Sequence, residues 1–214
     1  MSDCIIGVDH AEKRFGEQVA LRDVSVSFEA GKIHGIIGRN GSGKTVLFKC
    51  IVGLMPLTSG SIQVNGRHIE TGKTVPDDIG AIIETPGFLP NYSGFRNLKF
   101  LATLRGRIKD AEIRKAMQQV GLDPESRKHV GKYSLGMRQR LGIAQAIMEN
   151  PDILILDEPM NGLDKHGGED MRKLLVQLKE EGTTILVASH NPLDIEILCD
   201  EVYEMDAGAI TKVH

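Results

Sequence analysis

Apolar and polar positions alternate with period two near the start of the chain and change to three-and-four spacing in its middle. Ile5-Ile6-Gly7-Val8 and Val24-Ser25-Val26-Ser27-Phe28 read as short strands, the second in strict alternation. Ala30-Gly31-Lys32 turns into Ile33–Ile37, an almost unbroken apolar run of the kind buried on both faces of a parallel sheet. Thr45–Leu54 predicts a helix stopped by Gly53 and Pro56, and Gly60–Gly66 a strand closed by the Asn65-Gly66 hairpin signal. From about Tyr92 to Glu149 the spacing is helical, over Phe95–Leu104, Asp110–Val120 and Arg138–Met148, with Ile113, Ala116, Met117 and Val120 on one face. Strands and helices then alternate again: Ile153–Leu156, Met171–Lys179, Thr184–Ala188, Leu193–Leu198 and Val202–Met205. Single helices between strands imply right-handed crossovers and a mostly parallel sheet. The expected architecture is one α/β domain over 1–214. Residues 1–88 and 150–214 form its core with a small antiparallel β subdomain, and residues 89–149 form an inserted helical subdomain.

The segment between the strand Ile33–Ile37 and the following helix is Gly38-Arg39-Asn40-Gly41-Ser42-Gly43-Lys44-Thr45, a complete G-x-x-x-x-G-K-T. Its glycines let backbone N–H groups wrap a phosphate, and the helix N-terminus, with Val46 in its first turn, adds partial positive charge. Lys44 can reach the outer phosphates of a nucleotide and Thr45 can offer its hydroxyl to Mg²⁺. The context of strand, loop and helix makes a chance glycine-rich turn a poor alternative. A second run, Ile153-Leu154-Ile155-Leu156-Asp157-Glu158, sets two acids at the carboxyl end of a central strand, where α/β sheets bind ligands. Alone they would read as solvated acids. Beside a phosphate cradle, Asp157 suits Mg²⁺ and Glu158 suits polarising a water. The fold class is therefore α/β of the P-loop NTPase type.

Composition narrows the classes further. The 214 residues are 41% hydrophobic and 26% charged, which is ordinary for a folded domain with a substantial core. Twenty-six Lys+Arg against 29 Asp+Glu give a net charge of −3, so the basic excess of a nucleic-acid binder is missing. Aromatics at 4% with no Trp argue against base-stacking platforms. Cys4, Cys50 and Cys199 make neither a disulfide framework nor a C-x-x-C metal pair, and read as small hydrophobes in a reducing compartment. Residues 1–15 lack the apolar core of a signal peptide, and the longest uncharged stretch, Ile51–Gly66, carries Pro, Gly and polar residues. A soluble, cytosolic chain is expected.

Three further segments carry a family resemblance. Tyr133-Ser134-Leu135-Gly136-Met137-Arg138-Gln139-Arg140, shortly before the acidic strand, resembles the signature motif of ABC ATPases. Asn161-Gly162-Leu163-Asp164 resembles their D-loop and Ser189-His190 their switch histidine, and all the motifs stand in the family's order along the chain. The signature is not Leu-Ser-Gly-Gly-Gln: Tyr133, Leu135 and Met137 replace three of its positions, and Glu84 stands at the usual Gln of the Q-loop. Glu84, with Pro-Gly-Phe-Leu-Pro-Asn soon after it, and the Tyr-Ser-Leu-Gly signature are similar to exporters of bacitracin and lantibiotics.

The resemblance implies an ATP-binding and ATP-hydrolysing subunit that drives export of a small molecule or antimicrobial peptide through a separate integral membrane permease. It would lie at the inner face of the cell membrane. It implies a head-to-tail homodimer formed on ATP, in which Ser134 and Gly136 of one chain cover the γ-phosphate held by the other. Read from the residues alone, that turn is first an ordinary capped helix start near Arg138. The resemblance also gives Phe15 a stacking role against adenine, His190 contact with the γ-phosphate, Asp164 a place in the nucleotide site, and Glu84 a place near Mg²⁺. Without it, Phe15 packs under the N-terminal strands and Glu84 is a solvated loop acid. The other six histidines are left structural. Two competing functions are a soluble ABC ATPase of DNA repair, translation or iron–sulfur assembly, and a regulatory module that binds ATP without turnover. One nucleotide-binding unit and no basic stretch weigh against the first, and the intact Asp157-Glu158 against the second.

Overall fold

The computed structural model describes residues 4–71, 74, 76 and 78–214. Among the described residues the strands form two sheets. The first is antiparallel, in the order β2-β1-β4-β5, from β1 (Cys4–Phe15), β2 (Gln18–Glu29), β4 (Ser59–Val64) and β5 (Arg67–His68). The second has the order β10-β9-β3-β8-β7-β6, from β3 (Ile33–Ile37), β6 (Ile79–Ile82), β7 (Ile153–Asp157), β8 (Thr184–Ala188), β9 (Glu201–Asp206) and β10 (Ala209–Lys212). Within it β9, β3, β8, β7 and β6 are mutually parallel, and β10 returns antiparallel on β9. Helices α1 (Lys44–Ile51), α2 (Gly94–Arg105), α3 (Asp110–Gln119), α4 (Leu135–Ile147), α5 (Lys165–Glu180) and α6 (Pro192–Leu198) complete the fold.

The strand order decides where chemistry can occur. The neighbours β6, β7, β8 and β3 present their carboxyl ends side by side, and the segments leaving them carry Glu84, Asp157-Glu158, Ser189-His190 and the loop at 38–45. A crevice at such a row of strand ends is where doubly wound sheets take ligands. Buried side chains fix these strands from both faces. Phe28, Leu47, Phe48, Ile36 and Ile155 pack towards the antiparallel sheet, and Leu98, Ile113, Met117, Leu141, Leu154 and Leu175 pack with the helices.

Several elements differ from expectation. β1 and β2 run twelve residues each because His10 at φ 46° and Asp23 at φ 50° interrupt the alternation without ending the pairing. The short strands β5, β6 and β10 carry too few alternating residues to stand out. α4 opens at Leu135, not near Arg138, since Ser134 accepts a hydrogen bond from the Met137 N–H. α5 opens at Lys165, well before Met171: Asp164 caps it through Gly167 N–H at 2.7 Å, and a Cβ on Gly167 would meet Arg140 at 2.9 Å.

One buried polar cluster ties the two sheets together. The fully buried His34 of β3 donates from Nε2 to the Glu29 carbonyl at 2.8 Å, and its Nδ1 faces the Glu201 carboxylate at 3.3 Å. Burial pushes its pKa below the ordinary 6.5, outweighing the opposite pull of Glu29 and Glu201. Burial also acts to raise Glu201, but Lys32, Lys212 and the Tyr203 hydroxyl bring it down to about 2. The folded His34 therefore resists a proton that the unfolded ring accepts, so stability is full above pH 6.5 and declines as the pH falls below it. Glu201 contributes separately, in the window from 4.5 down to about 2. Thermal melts between about pH 7.5 and pH 5.5 should show this decline, and His34→Phe should flatten it.

Candidate active site

The loop leaving β3 is shaped by close backbone approach. Gly38 has φ 144° and Gly43 φ 115°, and a Cβ would come within 2.2 Å of the Met205 carbonyl at the first and 2.6 Å of the Ala20 carbonyl at the second. Only glycine fits there. α1 then opens at Lys44 with no side-chain cap and no acid in its first turn, so its N–H groups and positive end face the loop uncompensated. Ser42 Oγ is buried without a protein partner, and Lys44, 7% exposed, donates from Nζ to the carbonyls of Gly38 (2.7 Å) and Arg39 (3.1 Å). This is an anion cradle with its cation already gathered over it.

A cleft of about 850 Å³ opens beside the cradle. Asn40, Gly41, Gly43, Lys44, Thr45 and Val46 line it, as do Phe15, 47% exposed, Gln18 and Ala20. Asp157, Glu158 and Glu84 line it too. Thr45 Oγ1 donates to Asp157 Oδ2 at 2.6 Å, joining two hard oxygen donors. That set fits Mg²⁺, which binds through one or two such groups and takes its remaining oxygens from water and phosphate. Glu84, at φ 63°, turns its carboxylate to Lys49 of α1 at 2.7 Å and not onto the Thr45–Asp157 pair.

Glu158 sits at φ 52°, a left-handed conformation for a residue with a side chain. Its N–H donates to the Ala188 carbonyl at 2.9 Å, and its Oε2 lies 2.8 Å from His190 Nδ1. The His190 loop is itself anchored. Ser189 Oγ donates to the buried Asp194 at 3.0 Å, and Arg172 pairs with the same carboxylate at 3.0 Å. The His190 ring stays 67% exposed, so it is held by Glu158 and still open to a ligand.

Of the predicted site residues, Gly38, Ser42, Ser134, Gly136, Asp164 and His190 are not among those lining the cleft, and Gly38 and His190 line a separate cavity with Arg39 and Ser189. Ser134 is exposed at the N-terminus of α4, and Asp164 caps α5. Gln18 was not singled out in the sequence, and Asn161 and Gln139 stood there only as motif members without a role of their own; Gln139 is buried and lines the cleft with the acids. Gln139 did leave a signal. It lies on the stripe of Gly142, Ile143 and Ala146, a polar residue where α4 otherwise points apolar ones inward.

The model of the ABC transporter family matches residues 21–161, which spans the cradle, the signature turn and the acidic strand. The chain belongs to the ABC transporter ATP-binding family. It is similar to the bacitracin transport ATP-binding protein BcrA of Enterococcus faecalis, 42% identical over 97% of this chain and 68% of that protein. It is likewise similar to the lantibiotic transport ATP-binding protein SrtF of Streptococcus pyogenes, 37% identical over 96% of this chain and 89% of the relative. A solved ATP-binding subunit of an ABC transporter superposes with TM-score 0.87 at 26% identity, covering 98% of this chain and 89% of that one. A dimeric cassette in a post-hydrolysis state with ADP and Pi shares the fold, with TM-score 0.87 at 22% identity, over 98% of this chain and 99% of that one. As an ABC cassette the chain binds ATP and is an ATPase, and transport is the function that its relatives' names give.

Proposed function

We propose that the chain is the motor subunit of an exporter for a peptide antibiotic or similar small molecule, acting on a separate membrane permease. The observation that supports this most is the single row of strand ends bearing the cradle, the Thr45–Asp157 pair and the Glu158–His190 pair. The triphosphate lies along 38–45, its oxygens accepting from the loop and α1 N–H groups. Lys44 exchanges its two carbonyls for β- and γ-phosphate oxygens. Thr45 and Asp157 would hold Mg²⁺, which would neutralise charge on the outer phosphates, and Glu84 would join them only by leaving Lys49. Glu158 takes the proton of a water attacking the γ-phosphorus. The bond from that phosphorus to the bridging oxygen breaks with its electron pair staying on the β-phosphate, the proton held by Glu158 passes on to solvent, and ADP and phosphate leave. His190 orients Glu158 and faces the γ-phosphate, while Phe15 stacks on adenine.

Ser134 and Gly136, at the exposed N-terminus of α4, cover the γ-phosphate of a second copy, so two chains close head-to-tail on two ATP molecules. Closure moves the helical part, residues 89–149, against the remainder and so drives the permease. No described helix is long and apolar enough to cross a membrane, and the chain reaches the inner membrane face through that partner. The transport names of its relatives favour this reading over a soluble ABC ATPase.

The permease is received near 84–97. Asn97 is buried there and closes the loop, accepting from Leu89 N–H at 2.8 Å and donating to the Leu89 and Ser93 carbonyls at 3.1 and 3.0 Å. Leu89, Phe100 and Leu104 stay exposed around it. Phe88→Ala and Phe95→Ala should leave ATP affinity within about twofold while lowering antibiotic tolerance of cells expressing the pair by about tenfold or more. Equal loss of nucleotide affinity would contradict the assignment. The direct test of the motor role is phosphate release by the purified chain with ATP and Mg²⁺, stimulated by its permease.

A further inference from the structure

Glu158 holds a strained backbone, and three groups outside its own residue fix it. Ala188 of β8 takes its N–H at 2.9 Å, the Asn161 N–H donates to its carbonyl at 3.1 Å, and the Gln139 side-chain amide donates to the same carbonyl at 3.3 Å. Gln139 alone among these comes from α4, the helix that carries the signature turn, and it is only 9% exposed. The contact is backed by two glycine closures between the same segments. A Cβ on Gly136 would lie 2.8 Å from the Gly162 carbonyl, and one on Gly162 2.5 Å from the Leu135 side chain. The N-terminus of α4 is thus seated directly on the segment that runs from Glu158 to Asp164. A displacement of one has no void in which to be absorbed before it reaches the other.

We infer that Gln139 is a positioning residue for hydrolysis: through the Glu158 carbonyl it holds the base in its left-handed conformation and ties it to the signature turn of the same chain. A non-glycine residue at such φ is strained and persists only when its surroundings impose it. With the donor removed, the Glu158 backbone can relax towards a commoner conformation and draw its carboxylate off the line of the attacking water. Because the same helix end covers the twin's nucleotide, closure over one ATP is transmitted to the base serving the other. The inference rests on Glu158 as the general base.

The test compares Gln139→Met, which keeps length but has no N–H donor, with Gln139→Lys, which keeps an N–H donor one bond further out and charged. Steady-state hydrolysis and ATP affinity are measured for both, the affinity by calorimetry with ATP alone. Gln139→Met should lower kcat at least tenfold with the ATP Kd within twofold, and Gln139→Lys should recover kcat to within about threefold of the parent chain. A Gln139→Met rate within twofold of the parent overturns the inference. So does an equal fall of kcat in both variants, since that marks a packing role without dependence on the donor. If Glu158→Gln itself remains active, the base assignment fails first; if Glu158→Gln is inactive and Gln139→Met is not, only the role of Gln139 is lost.

Discussion

Replacing Glu158 with Gln is expected to lower steady-state ATP hydrolysis by about 100-fold or more while leaving ATP binding within a few fold. The substitution keeps the shape of the side chain and removes the carboxylate that accepts the water's proton, and positioned general bases contribute factors of about 10² to 10⁴. Binding should survive because the phosphate contacts come from the loop at 38–45 and from Lys44. His190 Nδ1 keeps a partner in the amide oxygen of the variant, so the pair now at 2.8 Å need not open. Phosphate release and calorimetric ATP affinity on one preparation separate the two effects. A variant that hydrolyses at the parent rate would remove Glu158 from the chemistry.

Lys44→Met should act in the opposite way, on affinity first. Lys44 is 7% exposed and its ammonium is held over the cradle, so its loss takes the fixed positive charge from a largely desolvated anion site. A charge-assisted hydrogen bond contributes about 1.5–3 kcal/mol, which corresponds to roughly 10- to 150-fold weaker ATP binding for this one residue. Its hydrogen bonds to the Gly38 and Arg39 carbonyls also brace the loop, so a modest fall in thermal midpoint accompanies the loss. Equilibrium titration with ATP at constant ionic strength reads the affinity directly. An unchanged Kd would place the triphosphate elsewhere.

Much of the site was legible because its chemistry is compact in sequence. The glycines, Lys44 and Thr45 fall within eight residues, and the apolar runs before the cradle and before Asp157-Glu158 identify the two strands that present them. The helical middle was legible from the spacing of residues such as Ile113, Ala116 and Met117, all buried. What stayed hidden depends on contacts between distant segments. The twelve-residue β1 and β2 contain bulges that break the alternation, and β6 has only Ile79–Ile82 to announce it. The pairing of Glu84 with Lys49 joins residues far apart in sequence, and no local pattern encodes it. The start of α5 was masked by Gly167 and Gly168, poor helix formers on propensity, the first of them closely approached by the Arg140 side chain.

The central claim is that the cradle at 38–45 is completed by the Ser134 turn of a second copy. Sedimentation equilibrium of the Glu158→Gln chain, with and without saturating ATP and Mg²⁺, tests it most directly, because slow hydrolysis leaves the closed state time to accumulate. The expected result is a shift from monomer to dimer mass on adding ATP, reversed when ADP replaces it. A chain that binds ATP and remains at monomer mass throughout would contradict the claim.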